Sequence, residues 1–531
     1  MSAGEPRAVR VDRGGIAGAA LVISLGNVTS RVLGLLRETV ITHLFGATGA
    51  VSAFRAASST YNLLYELLVG GIISSALVPI LSEYAAADRR EYRRLIGSLL
   101  LLLGLGTGVI VLLLELAAPW IGWVMAAGFG VELQNLTTDL IRLMLPAVIL
   151  MALAGLLSAA LYAAQEFAYP AFMAAAFNAA IIVAAVAAAD VLHIRALALG
   201  VVLGSVCQLT LQAIGMRRRG ARPLWTLYHP ALKQLLLLSL PVLASLAVGQ
   251  AQVVIDRNLA SRTGDQSMAW MANATTLIQF PLGLVATAVS LAALPRLSRL
   301  GTTAEGSGGF LATLGFSLRL VLVLILPATF ALYVLRTPLI RLLFEHGAFL
   351  PSDTTATAAA LQLYVIGLPF AAIDQCLILA FYARRDTLRP ALVGVAAVGI
   401  YLAVALLTIS RLGMLGLVLA NSAQWLGHAL IMLLLSERRI GGLRGQRLPR
   451  TLVEALGASV LAAAVMAGLL AVLPTATFGG AMGEAMAVLL PGSAALVLYS
   501  ALMLALRNED FTAFARFSWS RTKAILAVVR R

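Results

Sequence analysis

The chain has 531 residues, of which 60% are hydrophobic and 12% are charged, and its formal net charge is +15. This composition excludes a water-soluble globular domain and indicates a membrane protein. The long runs of Leu, Ala, Val and Ile lack the alternation of a membrane β-barrel. Since only helices and closed barrels satisfy every backbone group in lipid, we expect an all-α integral membrane protein.

Hydropathy predicts fourteen membrane spans, because a helix needs about 20 apolar residues to cross a bilayer. Arg7, Arg10 and Arg13 precede the first apolar run, and no small-residue cleavage site follows it. This run is therefore predicted to be the first span and not a signal peptide. The spans are predicted at 16–45, 50–84, 95–118, 137–161, 168–189, 195–216, 233–260, 268–298, 310–335, 354–382, 390–410, 412–435, 452–474 and 485–506.

The basic residues support this count, since cytoplasmic loops of membrane proteins are rich in Lys and Arg. With the N-terminus inside, 28 of the 39 Lys and Arg residues fall in the two termini and in the loops 85–94, 217–233, 296–299, 384–389 and 438–450. Both termini are therefore predicted to be cytoplasmic. Basic loops that face an anionic leaflet also account for the net charge without a nucleic-acid partner.

The chain contains an internal repeat. LYAAQEFAYP (161–170) matches FYARRDTLRP (381–390) at a shift of 220 residues, and SALVPILSEY (75–84) resembles LAALPRLSRL (291–300) at a shift of 216. The shift contains six spans, an even number, so the halves are expected to share one orientation and a pseudo-two-fold axis along the membrane normal. Chance self-similarity of Ala- and Leu-rich sequence is the alternative, which the paired prolines disfavour.

The repeat predicts two six-helix lobes and two additional helices, an arrangement typical of transporters in which one half rocks against the other. No GxxxxGK[ST] phosphate loop occurs, so the driving force is expected to be an ion gradient or the membrane potential. The predicted segments are a cytoplasmic N-terminus (1–15), an N-lobe (16–216), a basic linker (217–232), a C-lobe (233–435), a basic loop (436–451), two final helices (452–506) and a basic cytoplasmic tail (507–531).

Six arginines lie within the predicted spans, namely Arg31, Arg37, Arg55, Arg142, Arg257 and Arg319. A charge at mid-membrane costs at least about 2.5–3.5 kcal/mol, so such residues usually face a watery cavity or one another. Arg142 and Arg319 lie near span ends, where their side chains are expected to extend to the interface. The other four are predicted to line a polar cavity, although a local ion pair with Asp256 is an equal alternative for Arg257.

The stretch SRVLGLLRETV places Arg31 and Arg37 six residues apart, about 600° of rotation, so on an ideal helix they point in different directions. Gly26 and Gly34 could bend or unwind this helix and change that geometry. Glu38 is expected to find its partner on another span, because helix neighbours do not face each other. An excess of arginine suits an anionic ligand such as a phosphate-bearing lipid.

Several stretches resemble, in order, the signature segments of the MurJ (MviN) lipid II flippases, a family of the multidrug/oligosaccharidyl-lipid/polysaccharide (MOP) exporter superfamily. The resemblance extends from about residue 20 to residue 440, and fourteen spans is the number typical of that family. The segments are SRVLGLLRETVITHLFGA, NLLYELLVGGIISSALVPILSEY, APWIGWVMAAGF, FPLGLVATAVSLAALPRLS and FYARRDTLRP.

The resemblance implies a transporter and not an enzyme. Its expected activity is to move the undecaprenyl-diphosphate-linked peptidoglycan precursor, lipid II, across the bacterial cytoplasmic membrane by alternating access, for cell wall biosynthesis. A lipid-lined groove for the polyprenyl tail is implied between 452–474 and 485–506. No cofactor is implied, and the membrane potential or a Na⁺ or H⁺ gradient would drive transport. The expected partners are the lipid-linked substrate and membrane lipids, and the protein is expected to be a monomer.

The sequence also departs from the family pattern. Arg31 and Arg37 match the arginines of the first span that hold the diphosphate. Tyr65 and Thr276, however, stand where the family carries further arginines, and Ser52 replaces a common acidic residue. The resemblance therefore leaves open whether the substrate is lipid II or another undecaprenyl-linked glycan.

Other polar residues are assigned to the same cavity. Arg55 and Arg257 are predicted to bind substrate in place of the missing arginines. Asp256 and Asp386 are predicted candidates for a coupling cation, because hard cations prefer carboxylate and carbonyl oxygens. Additional residues expected to line the cavity are Glu38, Asn62, Glu66 and Asp374.

Simpler interpretations compete with some of these roles. Asp386 can instead form a loop salt bridge with Arg384 or Arg385. Cys207 and Cys376 lie in separate spans and predict neither a disulfide nor a metal site, and the five histidines lack metal-ligand spacing.

Two further functions are open alternatives to a flippase. A cation-coupled exporter of small molecules would favour acidic residues in the cavity, so the arginine excess argues against it. A membrane scaffold without transport has no need of a charge as costly as Arg31 in mid-span.

Overall fold

The computed structural model describes residues 13–67, 77–220, 222–301, 307–472 and 480–516. These residues form helices and no strand. The helices of the first half are α1 (Arg13–Phe45), α2 (Gly49–Tyr65), α3 (Val78–Ala87), α4 (Arg89–Met125), α5 (Val131–Ala163), α6 (Ala168–Ala171), α7 (Met173–Leu192) and α8 (Arg195–Arg218). Those of the second half are α9 (Ala231–Ser261), α10 (Ser267–Pro281), α11 (Thr287–Gly301), α12 (Ser307–Phe344), α13 (Pro351–Ala383), α14 (Leu388–Leu412), α15 (Met414–Arg439), α16 (Leu448–Val472) and α17 (Ala481–Ala505).

Eleven helical segments within the described residues are long and apolar enough to cross a membrane. They coincide with eleven of the fourteen predicted spans. The first, second and seventh predicted spans correspond to α1, to α2 with α3, and to α9, and residues 68–76 of the second span lie outside the described residues. The all-α fold class is confirmed, and the count of fourteen spans stays a prediction.

A turn of π-helix, Leu282–Ala286, interrupts the eighth predicted span between α10 and α11. It follows Pro281, which has no backbone N–H to continue the α-helical hydrogen bonds. Glu66 and Leu67, 216 residues before Leu282 and Gly283, have the same π conformation directly after α2. The two spans are therefore irregular at equivalent points, where hydropathy predicted uninterrupted helices.

One compact unit comprises residues 1–44, 56–125 and 131–251. In its described part, an apolar core lies between α3, α4, α5 and the end of α8, where Leu81, Leu95 and Leu161 are fully buried. Tyr92 joins α4 to α5, because its hydroxyl donates to the carbonyl of Ala160 at 2.6 Å.

The second compact unit comprises residues 45–55, 126–130 and 252–531, so α2 and α9 each cross the border between units. Two short segments of the first half belong to this unit. The backbone N–H of Ala269 donates to Ser52 Oγ (3.2 Å), and the N–H of Gly128 donates to Ser261 Oγ (2.9 Å). The predicted lobe boundaries stay a prediction, as do the cytoplasmic termini 1–15 and 507–531, which lie partly outside the described residues.

The internal repeat is visible in the backbone. α5 and α13 each have 33 residues, and both their first and last residues differ by 220 (351 − 131 and 383 − 163). Both helices end in the same Schellman turn, in which Gln165 and Arg385 have φ angles of 58° and 59°. His193 and Gly413, also 220 residues apart, have positive φ angles as well. The predicted repeat is therefore confirmed at these helix ends.

Candidate functional site

A first polar cluster joins α1 to α7 in the first unit and comprises Ser30, Arg37, Glu38 and Asn178. The Arg37 guanidinium donates to Glu38 Oε1 through Nη2 (2.5 Å) and Nε (3.2 Å), and to Asn178 Oδ1 through Nη1 (3.0 Å). Asn178 Nδ2 donates to the carbonyl of Ser30 at 3.2 Å. The side-chain amide of Asn178 therefore holds both the Arg37 side chain and the backbone of Ser30, about two turns earlier on α1.

The charge of Arg37 is balanced within this cluster. Glu38 is 2% exposed, whereas 26% of the Arg37 side chain is exposed. The expectation that Arg37 and Glu38 do not pair was wrong, because the long arginine side chain curves round to the carboxylate of the next residue. An anion that binds Arg37 must therefore compete with Glu38.

The helix that bears this cluster is continuous, so the interpretation that Gly26 and Gly34 unwind it was wrong. Gly26 instead permits a close approach of α1 to α6, since a Cβ there would lie 2.4 Å from the carbonyl oxygen of Ala171. Arg31 is half-buried on the same helix. Six residues of regular helix, about 600° of rotation, separate it from Arg37, so the two side chains leave α1 in different directions.

The predicted residues of α2 fall into two groups. Asn62 and Glu66 are exposed in the first unit, and Tyr65 is half-buried between them. Arg55 belongs to the second unit, and its place in the cavity stays a prediction. It is half-buried, and its guanidinium carbon lies 5.9 Å from the centre of the Phe54 ring.

A second polar cluster links the end of α9 to α14 and α15 in the second unit. The buried Tyr401 hydroxyl donates to Asp256 Oδ1 at 2.7 Å, and Arg257 Nη1 lies 3.8 Å from Asp256 Oδ2. One turn earlier, the side-chain amides of Gln252 and Gln424 exchange two hydrogen bonds of 2.5 and 2.9 Å. Asp256 is therefore already held by a hydroxyl and a guanidinium, which supports the local ion pair for Arg257.

A buried pair that the sequence analysis did not assign joins α13 to α15. His428 Nδ1 lies 2.7 Å from Asp374 Oδ1, and their side chains are only 12% and 14% exposed. The sequence signal that could have found this pair is one ionisable residue in each of two otherwise apolar helices.

Thr276, at an expected arginine position, donates its hydroxyl to the carbonyl of Ala272 at 2.9 Å. This bond within its own helix cannot replace a guanidinium.

Asp386 lies in the turn before α14. It accepts hydrogen bonds from the guanidinium and the backbone N–H of Arg389, whereas Arg384 donates to the carbonyl of Arg439 at 3.0 Å. A loop salt bridge of Asp386 was predicted, but with Arg384 or Arg385, and the observed partner is Arg389. Arg385 occupies the left-handed position of the turn, whereas Arg389 lies about one helical turn after Asp386 and can reach its carboxylate. Among the described residues, no group of three or more His, Cys, Asp or Glu side chains could hold a metal ion.

The Arg319 side chain was predicted to extend to the membrane interface, but it is held inside the second unit by Asp510. Its Nε and Nη2 donate to the two carboxylate oxygens of Asp510 (2.8 and 3.1 Å), and its Nη1 donates to the carbonyl of Gln446 (2.6 Å). Only 17% of the side chain is exposed. Arg142, by contrast, is exposed on α5.

Long apolar helices in two repeated sets, with charged side chains paired between helices, define this protein as a multi-pass membrane transporter. The structure of a "Lipid II flippase MurJ, inward closed conformation" has this fold, with a TM-score of 0.78 at 22% identity, covering 92% of this chain and 100% of that one. An inward-facing multidrug resistance MATE family transporter of the MOP superfamily also aligns, with a TM-score of 0.64 at 14% identity over 78% and 96% of the chains.

The sequence comparisons identify the family. The family model described as "Lipid II flippase MurJ" matches residues 41–505. Lipid II flippase MurJ of Burkholderia cenocepacia is 30% identical over 383 residues, 70% of this chain and 74% of that protein. A probable lipid II flippase MurJ of Vibrio cholerae is 28% identical over 393 residues, 71% and 75% of the two chains. The chain belongs to the MurJ lipid II flippase family, and it is a multi-pass protein of the bacterial inner membrane.

Proposed function

We propose that this protein moves lipid II, an undecaprenyl-diphosphate-linked peptidoglycan precursor, from the inner to the outer leaflet by alternating access. The observation that carries the proposal is the match of the MurJ family over residues 41–505. Arg31 and Arg37 precede that range, so their role rests on the resemblance of the α1 segment and on the contacts of the first polar cluster. Transport of this kind needs no covalent step and no cofactor.

In this proposal the arginines predicted from the sequence bind the diphosphate. Arg37 exchanges the carboxylate of Glu38 for a phosphate oxygen while Asn178 keeps its guanidinium oriented, and Arg31 adds a second positive charge on α1. Arg55 and Arg257 are the other two proposed substrate ligands. Since Glu38 balances Arg37 in the absence of substrate, the empty transporter avoids an uncompensated charge within the membrane.

The polyprenyl tail is assigned to the last two spans. An apolar cavity of about 430 Å³ lies between α12, α16 and α17, and its lining includes Pro327, Ala462, Met466, Gly492 and Leu496. The lining is mostly apolar, so the cavity suits a hydrocarbon chain better than a polar ligand.

A second candidate function is transport of another undecaprenyl-linked glycan. Tyr65 and Thr276 support it, because neither supplies the guanidinium that the family pattern has at these positions. A small-molecule exporter is supported only by the fold similarity to MATE transporters, which establishes no substrate.

The decisive experiment is complementation. A bacterial host is depleted of its own lipid II flippase, and this gene is expressed from a plasmid. We expect growth to resume and lipid II to become exposed at the outer surface, measured by an externally added lipid II-degrading enzyme. Normal membrane abundance without rescue would reject lipid II as the substrate and would favour the other glycan.

Replacing Arg37 tests the first polar cluster. Arg37→Ala is expected to abolish rescue at unchanged protein abundance, and Arg37→Lys is expected to retain only part of it, because an ammonium cannot make the same paired contacts. Arg142→Ala is the matched control, since it removes an exposed arginine of the same unit. Full rescue by Arg37→Ala would remove this residue from substrate binding.

The driving force is proposed to be the membrane potential or a Na⁺ or H⁺ gradient. Asp256 and Asp386 are the proposed cation ligands, and the Asp374–His428 pair, with its two side chains 2.7 Å apart, is the proposed proton acceptor. Lipid II exposure in spheroplasts, measured while potential, Na⁺ gradient and pH gradient are collapsed separately, assigns the energy source. Loss of exposure in only one arm identifies that source.

A further inference from the structure

A polar recess of about 50 Å³, separate from both polar clusters and from the apolar cavity, lies in the second unit between the first half of α12, the start of α16 and the residues that follow α17. Four arginines line it, namely Arg319, Arg447, Arg450 and Arg507, and we call it the arginine pocket. None of them belongs to the site proposed for the transported substrate. Arg319 comes from α12, Arg447 and Arg450 from the basic loop 436–451, and Arg507 from the turn after α17, so the pocket brings together arginines up to 188 residues apart in sequence (507 − 319).

The pocket has one fixed arginine and three exposed ones. Arg319 is held at the base by its paired bonds to Asp510. Arg447 and Arg450 have side chains that are 65% and 69% exposed. Arg507 is also exposed, and within the described residues its side chain forms no hydrogen bond. Three guanidinium groups can therefore turn toward a ligand without breaking a buried contact.

The acidic residues of the pocket do not cancel this charge. Glu454 is bound by Arg450 Nε (2.7 Å) and by Asn508 Nδ2 (2.7 Å), and Glu509 lies at the longer distance of 3.3 Å from Arg447 Nη1. Four arginines against Glu454, Glu509 and Asp510 leave a net charge of +1. The weak Glu509 contact, with an 82% exposed carboxylate, is the one an incoming anion can displace most easily.

The backbone adds further positive potential. Arg450 and Thr451, in the first turn of α16, line the pocket, and the N-terminal end of a helix carries partial positive charge. The opposing carbonyls of α17 are occupied, because the N–H groups of Arg507 and Asn508 bond the carbonyls of Leu504 and Met503. Side chains and backbone thus both favour an anion.

An apolar surface begins directly beside this charge. Leu452, Val453 and Leu456, in the next turn of α16, are 41%, 70% and 40% exposed. A free phosphate gains no contact with this apolar surface. A phospholipid can place its headgroup in the recess and its acyl chains along α16. Basic pockets between membrane helices recognise anionic lipid headgroups in this way.

We propose that the arginine pocket binds the phosphate headgroup of an anionic phospholipid, whose acyl chains lie along the exposed apolar face of α16. Arg447, Arg450 and Arg507 contact the phosphate, and the Arg319–Asp510 pair fixes the base of the pocket. This lipid is a bound partner and not the transported substrate, so the proposal stands or falls independently of the proposed function.

The test uses the purified full chain in nanodiscs of phosphatidylcholine with and without phosphatidylglycerol. We expect phosphatidylglycerol to raise the unfolding temperature and to remain bound in native mass spectra. The triple variant Arg447→Gln, Arg450→Gln, Arg507→Gln should weaken this binding on the order of tenfold, the effect of losing one to two charge-assisted hydrogen bonds. Inorganic phosphate at the same concentration should not replace the lipid.

A charge-matched control separates the pocket from general attraction. Arg90→Gln, Arg217→Gln and Arg218→Gln remove three exposed arginines of the first unit and should leave binding within twofold. Equal losses in both triple variants, or equal stabilisation by inorganic phosphate, would overturn the proposal. If the pocket variant folds poorly, the triple Arg→Lys variant keeps the charge. It is expected to bind at intermediate strength, and binding as tight as the original would contradict the guanidinium contacts.

Discussion

Several polar side chains within the spans are held by a partner on another helix. Arg37 reaches Asn178 of α7, Tyr401 of α14 reaches Asp256, and His428 pairs with Asp374. In lipid an unpaired polar group costs several kcal/mol, so each pair fixes one helix against another. These contacts therefore position the site and stabilise the fold at the same time.

Removing the hydroxyl of Tyr401 tests this double role. Tyr401→Phe is expected to lower the free energy of unfolding by about 1.5–3 kcal/mol, the range for a hydrogen bond to a charged group, because Asp256 then loses its donor. Thermal unfolding in detergent measures the change. Tyr382→Phe is the control, since it removes the hydroxyl of an exposed tyrosine in the same unit. Equal losses in the two variants would contradict the Asp256 contact.

His229 makes stability depend on pH. It is 3% exposed, its ring packs edge-on against Tyr84 at 5.0 Å, and its Nδ1 accepts the N–H of Ala231 at 3.2 Å. Burial lowers the pKa of His229 below its ordinary value of 6.5, and the carboxylate of Glu91 partly opposes this. The folded state thus favours the neutral ring.

The sign of the pH effect follows from this lowered pKa. The stabilising contribution is complete above pH 6.5 and is lost as the pH falls through the folded-state pKa. We expect the unfolding temperature to decrease as the pH falls below 6.5. His229→Phe keeps the packing against Tyr84 and should flatten the curve in this window; an unchanged slope would assign the effect to other groups.

At the scale of helices and turns, close backbone approaches and helix caps fix the geometry. The repeated Schellman turns show that Gln165 and Arg385 accept a left-handed backbone in both halves. The turn between α4 and α5 depends on a glycine instead. A Cβ at Gly128 would lie 2.4 Å from the backbone nitrogen of Arg262, so the end of α9 leaves no space for it.

Substituting this glycine should therefore destabilise the second unit. Gly128→Ala is expected to lower the free energy of unfolding by about 1–3 kcal/mol, because backbone and not a flexible side chain must move. Gly130→Ala, two residues away, has no atom within 4 Å of its added Cβ and is the matched control. The unfolding temperatures of both variants are compared. Equal temperatures would show that the backbone of the turn shifts to accept the added Cβ at residue 128, contrary to the prediction.

At the scale of the whole molecule, the distribution of arginine predicts how the chain crosses the membrane. Basic residues concentrate in alternate loops, and the repeat preserves this alternation in the second half. The same pattern predicts that both termini lie in the cytoplasm.

Labelling with a membrane-impermeant maleimide tests this orientation. In a background with Cys207→Ser and Cys376→Ser, Asp265→Cys should react in intact spheroplasts, whereas Ala87→Cys should react only after the membrane is opened. Both positions are exposed in the structure, so access to reagent depends on the side of the membrane. The reverse pattern would invert the topology.

The sequence alone determined the helices, their repeat and the family. Runs of about 20 apolar residues admit only one secondary structure in lipid, and the repeated turn at 161–170 and 381–390 needs only local hydrogen bonds. Hydropathy could not detect the π-turn Leu282–Ala286, because irregular backbone at a proline leaves the apolar pattern unchanged.

Tertiary structure decided which charges meet. Arg37 and Asn178 are 141 residues apart and Arg319 and Asp510 are 191 apart, so their pairing depends on how each helix rotates and packs. Sequence spacing carries no information on that rotation between separate helices. For this reason the arginines of SRVLGLLRETV could be recognised as costly and functional from the sequence, while their partners, and the arginine pocket beside α16, emerged only from the fold.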